Sequence, residues 1–371
     1  MQQYSIEFFD REFNFIYRDT AVNLVVDDDY LSPAQNSVEI GPITDIKYGY
    51  FIRVIREDEE FFGVVIESSP GKYKTTVRYA PFLSVFDEDI LFDTDYQLKR
   101  VDGVVNGVTQ KVNQYSLEQV IKTYIDAEYV NNSDTLQNLP IVVSIGSTTK
   151  PWGFNIKSDA EDQHHAIIGL YRVLIVNAMK QYGIALNVRP DYEVKKIFIT
   201  ISTNRDVVDI DGSLDNIVIK TLKLNDRPSG TNKLVVYDSS DLTRAPIIFY
   251  VYTNREWGVD NTDRISPVSK DLAIATPDPE IEDPLEAFAV AALDIGYSQL
   301  SGLTWDNLIE LEVIPSDPII KPMELEFGQM INLWYKGDQY SSILTGRNIG
   351  PDIITLTFGS ERIKFTKRRK A

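Results

Sequence analysis

Short apolar and aromatic runs, broken by polar turns, set the pattern of the first 95 positions. Ile6 to Ile16 is one such run and Ala21 to Val26 another; Phe51-Ile52-Arg53-Val54-Ile55 and Phe61-Phe62-Gly63-Val64-Val65-Ile66 follow. The acidic Glu57-Asp58-Glu59-Glu60 between the last two reads as a hairpin loop, and Pro70-Gly71 turns the chain into Tyr73 to Tyr79. Closely spaced short strands joined in this way predict a small barrel or sandwich. An acidic run such as Asp27-Asp28-Asp29 fits a solvated loop between them.

The middle changes period. Ser116-Leu117-Glu118-Gln119 is a capping box, in which the serine oxygen accepts a free backbone N–H and the glutamine reaches back, so a helix is predicted to about Glu128. Ile167, Leu170, Tyr171, Leu174 and Ala178 recur three and four apart and predict a second helix from Gln163 to Tyr182, stopped by Gly183. Ile197–Ile201, Ile217–Leu222, Leu234–Tyr237 and Ile247–Tyr252 read as strands. Pro277-Asp278-Pro279-Glu280 reads as a linker. Asp283-Pro284-Leu285-Glu286 then places a cap, a proline and a glutamate where a helix to about Ser298 needs them. Beyond Pro318 the pattern returns to strands. The expected fold is α+β and multidomain: β-barrel-like modules at 1–95 and 320–371 flank α+β middle domains over 96–319, open to a further division near 215–240 and carrying the helix at 283–298.

The two ends of the chain resemble each other. Ile46–Phe86 slides onto Leu325–Phe365 without a gap, so that Tyr48-Gly49 meets Phe327-Gly328, Ile52 and Val54 meet Ile331 and Leu333, and Pro70-Gly71 meets Ile349-Gly350. Identities are few, but strands and turns coincide in order and length. Two similar modules in one chain would let three chains place six modules in a ring. The matched aromatics, Phe61 with Tyr340 and Tyr79 with Phe358, are the candidates for contacts between modules, the alternative being that all four fill their own cores.

Composition narrows the chemistry. The 371 residues contain no cysteine, which excludes disulfides, thiol nucleophiles and cysteine-held metals. A net charge of −18 opposes binding to nucleic-acid phosphates and to anionic lipid. The opening Met1-Gln2-Gln3-Tyr4-Ser5-Ile6-Glu7 lacks the basic and apolar regions of a signal peptide, and no apolar stretch is long enough to span a membrane. The histidines are His164 and His165, adjacent and so unable to share a metal from one helix. Asp209-Ile210-Asp211-Gly212-Ser213-Leu214-Asp215 is similar to the start of a calcium loop but lies between predicted strands and lacks the remaining ligands, so a tight turn is expected and calcium is otherwise unsupported. Gly146-Ser147-Thr148-Thr149-Lys150 has the letters of a phosphate loop in the wrong order, ahead of Pro151. No catalytic constellation, metal site or cofactor motif assembles, and the reading is non-enzymatic. Lys367, Arg368, Arg369 and Lys370 form a basic tail on an acidic chain, either a frayed terminus or a contact with an acidic neighbour or DNA.

Gly328 to Gly346 and Ile354 to Thr366 resemble the closing module of siphophage tail-associated (Tal) proteins; Ile6 to Phe13 and Phe61-Phe62-Gly63-Val64-Val65 through Phe82 to Asp87 resemble its opening module. That family is in turn similar to the baseplate hub of contractile-tailed phages. The resemblance implies a structural homotrimer at the virion tail tip, below a ring of distal tail protein, that adapts a sixfold tube to a threefold tip and closes or opens the DNA channel. Receptor-binding proteins and the tape measure protein are further implied partners, and DNA would pass without specific binding. Longer relatives carry fibre or peptidoglycan-cleaving extensions; this chain ends at its second β module, and no such activity is expected of it. The alternatives are a non-catalytic carbohydrate- or protein-binding module of another surface assembly, and a carboxylate-based hydrolase.

Overall fold

The computed structural model describes residues 3–359 apart from 23, 44, 57–58, 106–107, 151, 154–164, 204–205, 215, 224–231, 253–256, 263, 265–269, 278, 280 and 301–307. The first strands are β1 (Gln3–Phe9), β2 (Phe15–Val22), β3 (Val26–Asp29), β4 (Asn36–Ile40), β5 (Phe51–Arg56), β6 (Glu59–Pro70) and β7 (Thr75–Pro81). Six of them form one curled antiparallel sheet in the order β2-β1-β5-β6-β7-β4. Period-two alternation makes it curl around a core: Tyr4, Ile6 and Phe8 point inward with Val38, Ile40, Ile52, Val54, Val77 and Tyr79. The ends approach each other where the Gly41 amide donates to Asp19 Oδ2 at 2.6 Å. The third strand leaves this sheet altogether.

The middle follows with β8 (Asp89–Asp93), α1 (Thr94–Gln97), the hairpin β9 (Arg100–Val105) and β10 (Val108–Asn113), α2 (Leu117–Ile125), β11 (Ile141–Ile145), β12 (His165–Gly169), α3 (Val176–Tyr182), β13 (Ala185–Asp191) and β14 (Lys196–Ser202). The capping box forms as expected, with the Gln119 amide donating to Ser116 Oγ at 3.2 Å and the Ser116 amide to Gln119 Oε1 at 2.8 Å. Strands β11, β14 and β13 make a three-stranded sheet whose Ile197, Ile199 and Ile201 pack with Val120, Ile121, Leu170, Leu174 and Met179. Of the helix expected from Gln163 to Tyr182, Gln163 and His164 lie outside the described residues. His165–Gly169 is a strand paired with β8, and helical turns start only at Leu170. Ala166 and Ile168 are buried while Ile167 is 68% exposed, a period of two that the three-and-four spacing beyond it had masked. Gly183 ends that helix at φ +66, as expected.

The chain continues through β15 (Val208–Asp211) and β16 (Val218–Lys223) into an inserted unit of β17 (Lys233–Asp238), β18 (Ile247–Val251), β19 (Trp257–Gly258), β20 (Lys270–Ala275) and α4 (Pro284–Leu300). Helix α4 lays Phe288, Ala292 and Leu300 over Leu234, Val236 and Phe249. Last come β21 (Leu308–Val313), β22 (Met330–Tyr335), β23 (Asp338–Ile349) and β24 (Ile354–Phe358). They form a second curled sheet, ordered β15-β22-β23-β24-β21-β16, with β3 added on β23. Within 320–371 the described strands of this sheet are β22, β23 and β24; the others come from elsewhere in the chain. A three-stranded meander leaves one face of its core bare, and Ile210, Ile309, Leu311 and Val313 from the recruited strands cover it. Among the described residues no helix is long and apolar enough to cross a membrane.

Candidate functional site: the junction of two matched barrels

One constant displacement along the chain carries the bounds of β5 onto those of β22 and of β6 onto those of β23, and the first residue of β7 onto the first of β24. The match extends to the irregularities. The ladder of β6 on β7 slips between Val65 and Glu67, and that of β23 on β24 between Leu344 and Gly346. Gly49 at φ +78 donates its amide to the Val65 carbonyl, and Gly328 at φ +77 to the Leu344 carbonyl, both at 2.9 Å. The closing turns agree as well, Gly71 N–H to Lys74 O at 2.9 Å and Gly350 N–H to Ile353 O at 3.0 Å. The remaining strands correspond in cyclic order, with β1, β2 and β4 standing where β15, β16 and β21 stand. The two sheets differ in where they open, between β2 and β4 in the first and between β15 and β16 in the second. They differ also in direction, since β1 runs antiparallel to β5 whereas β15 runs parallel to β22.

The barrels lie side by side and share one continuous apolar core. Their join is β3, the acidic run that sequence alone places in a loop. Val26, Asp27, Asp28 and Asp29 pair antiparallel with Ile349, Asn348, Arg347 and Gly346, and the Tyr30 amide extends the ladder to the Thr345 carbonyl at 2.9 Å. Side chains hold the strand from its own barrel: the Asp27 amide donates to Asn36 Oδ1 at 2.7 Å, and Asn36 Nδ2 donates back to the Asp27 carbonyl at 3.0 Å. Tyr30 then ties the join to the middle domain, accepting on its hydroxyl from the Leu186 amide at 3.0 Å and on its carbonyl from the Tyr171 hydroxyl. On the other side of the junction the buried Arg56 reaches across the barrels. Its Nη1 donates to the Gly350 and Pro351 carbonyls at 2.8 and 2.9 Å and to the Tyr4 hydroxyl at 3.2 Å.

A cleft of about 1010 Å³ opens where both barrels meet the three-stranded sheet, with Asp28, Glu60, Phe82, Arg189, Glu326 and Arg347 on its walls. Arg347 donates to the Leu325 carbonyl at 2.6 Å and lies 4.7 Å from the Phe327 ring centre. Burial holds its guanidinium below the usual arginine range, against the pull of Asp28. Burial also pushes the Asp28 carboxyl up to about 6; Arg347 opposes this and Asp27 and Asp29 add to it. A carboxyl whose folded value is raised contributes stability that is present at low pH and is lost as pH rises through about 6. Asp28→Asn is therefore expected to stabilise the protein at about pH 8, by about 1–2 kcal/mol after allowance for the water Asp28 still meets in the cleft, and to change nothing near pH 4. Urea midpoints at the two pH values check this, and equal gains at both would refute it.

The matched aromatics divide. Phe61, Tyr79 and Phe358 are interior residues, with the Phe61 and Tyr79 rings 5.7 Å apart in the first barrel. Burial raises the Tyr79 hydroxyl well above the usual tyrosine range, and that hydroxyl makes no hydrogen bond. Tyr340 is half-buried at the rim of the second barrel, its hydroxyl 3.3 Å from Asp338 Oδ2. The basic Lys367, Arg368, Arg369 and Lys370 and His164 lie outside the described residues. His165 stands opposite Asp93 in the β8–β12 ribbon. Asp211 accepts from the Ser213 amide and hydroxyl at 2.9 and 2.6 Å, a local turn beside β15, and Ser213 holds its carboxyl below the usual range. In the Gly146–Lys150 loop, the Ser147 hydroxyl and the Thr149 amide and hydroxyl converge on the buried Glu118 carboxylate at 2.7–2.8 Å. Among the described residues no three His, Asp or Glu side chains are grouped to hold a metal.

No family model matches the sequence, and no curated protein matches it. Solved structures do resemble it. A chain of the phage P2 baseplate in its activated conformation with Ca is similar over 98% of this chain and 100% of its own, at 11% identity and a TM-score of 0.47. The 43 kDa tail protein of prophage MuSo2 from Shewanella oneidensis is similar over 95% and 98%, at 12% identity and 0.44. Prophage tail protein gp18 from Listeria monocytogenes EGD-e is similar over 97% and 95%, at 12% identity and 0.44. These are phage tail and baseplate proteins, the group that the sequence resemblance pointed to.

Proposed function

We propose that the chain is a structural subunit of a phage tail tip, three copies of which set six matched barrels in a ring and so adapt a sixfold tube to a threefold tip. The observation that carries this is the match of β5, β6 and β7 to β22, β23 and β24, down to the slipped ladder and the left-handed glycine. A single-purpose binding domain has no need of two such copies held side by side, whereas a ring of doubled symmetry does. The net charge of −18 disfavours tight binding of phosphates, which suits a channel through which DNA slides without sticking. The middle domains would lie below the ring and close or open it. A distal tail protein ring is the partner above, with receptor-binding and tape measure proteins as further neighbours. The role is non-enzymatic and needs no cofactor.

Sedimentation and electron microscopy of the purified protein test the assembly. Three chain masses and a threefold particle with a sixfold-looking ring are expected. A monomer or a twofold dimer at micromolar concentration refutes it.

A further inference from the structure

The matched barrels are treated unequally at one edge. Strands β6 and β23 are each long enough to carry two partners on one side in succession. Along β23 the first half pairs with β22, and the stretch Gly346–Ile349 then pairs with β3. Along β6 the first half pairs with β5, up to Val64, and the matching stretch Glu67–Pro70 has β7 on one side. Among the described residues no strand lies on its other side.

The ladder geometry says which groups face that vacancy. The Tyr30 amide donates to the Thr345 carbonyl at 2.9 Å, so alternation turns 345, 347 and 349 toward β3 and 346 and 348 toward β24. Their counterparts Ile66, Ser68 and Pro70 thus turn outward from β6, while Glu67 and Ser69 serve β7. Pro70 ends the stretch with no N–H to offer, so the donors on that side are the Ile66 and Ser68 amides.

We propose that Ile66–Pro70 of β6 is the acceptor edge for a second copy of this chain, whose second barrel covers it as β3 covers β23. The chain then carries one occupied and one open junction of the same kind. A contact of this head-to-tail type propagates from copy to copy until rotation closes it. An open edge of this sort is otherwise a template for uncontrolled pairing. The inference rests on the ring assembly proposed above and adds to it the backbone groups that make the contact between chains.

Ser68→Pro is the discriminating variant. It removes the outward N–H and places a ring where the neighbour's strand must lie, yet takes no bond from β7. The wild-type chain is expected to sediment as the oligomer and Ser68→Pro as a folded monomer with unchanged circular dichroism. A wild-type oligomer whose Ser68→Pro variant keeps the same mass overturns the edge and leaves the ring standing; a wild-type monomer overturns the ring, and the edge with it. Should the variant fail to fold, hydrogen exchange on the unmodified protein decides. The Ser68 amide is expected to exchange on the order of a hundredfold more slowly in the assembled protein than after dilution to single chains, approaching the Arg347 amide. Equal rates in both states overturn the proposal.

Discussion

Replacing Arg56 by methionine is expected to cost about 3–5 kcal/mol of stability, among the largest effects of any single change outside the apolar core. The guanidinium is buried, and one of its nitrogens serves the Gly350 and Pro351 carbonyls of the second barrel and the Tyr4 hydroxyl of the first. Methionine keeps much of the stem but leaves those acceptors without this donor, at about 1–3 kcal/mol for each one that stays dry. The loss should also be uneven. Arg56 pins the closing turn after β23 alongside its own Gly350 N–H to Ile353 O bond, so hydrogen exchange near Gly350 should quicken before the first barrel loosens. Arg56→Lys keeps a charge and donors on a different geometry and should fall between the two. A change below about 1 kcal/mol for Arg56→Met in urea unfolding would show that the barrels hold together without it.

Glu118→Ala is expected to cost a similar amount, about 3–5 kcal/mol, by a different route. Glu118 is fully buried in the first turn of α2, where the helix dipole favours a negative charge. Its carboxylate gathers Ser147 Oγ, Thr149 N–H and Thr149 Oγ1 at 2.7–2.8 Å. Alanine would strand all three donors, whereas glutamine retains one acceptor oxygen and should lose roughly half as much. The Gly146–Lys150 loop should then exchange its amides faster while the barrels keep their protection. If Glu118→Ala melts within about 1 °C of the wild type, the carboxylate is not what orders the loop.

Those two sites show what could be read from sequence and what could not. The capping box at Ser116 and Gln119 was legible because its logic is local: cap, spacing and helix are neighbours in the chain. The repeat was legible because hairpins keep their lengths, so Phe51 and Met330 open strands that agree in length and in turn position. Strand β3 was not. Three successive aspartates have low strand propensity, and what holds them extended is Gly346–Ile349, far along the chain, with Arg347 opposite Asp28. The same holds for β15, β16 and β21, whose place in the second barrel depends on pairings that no local window contains. At His165–Gly169 the local signal misled, because a two-residue period runs directly into a helical one. The matched aromatics occupy corresponding strand positions, and Phe61, Tyr79 and Phe358 are buried while Tyr340 is half-buried against the same core.

The two barrels also differ in when they can be made. Every strand of the first sheet lies within Gln3–Pro81, so it can close soon after that stretch leaves the ribosome. The second sheet needs β15 at Val208–Asp211 and β24 at Ile354–Phe358 together, and cannot close until almost the whole described chain has emerged. Through that interval β3 has no partner strand, and the three aspartates leave it charged and soluble. A strand of valine and isoleucine in the same place would pair with whatever nascent chain came first. The three aspartates that give β3 a low strand propensity are thus also the residues that disfavour its pairing with a wrong strand before its own partner arrives.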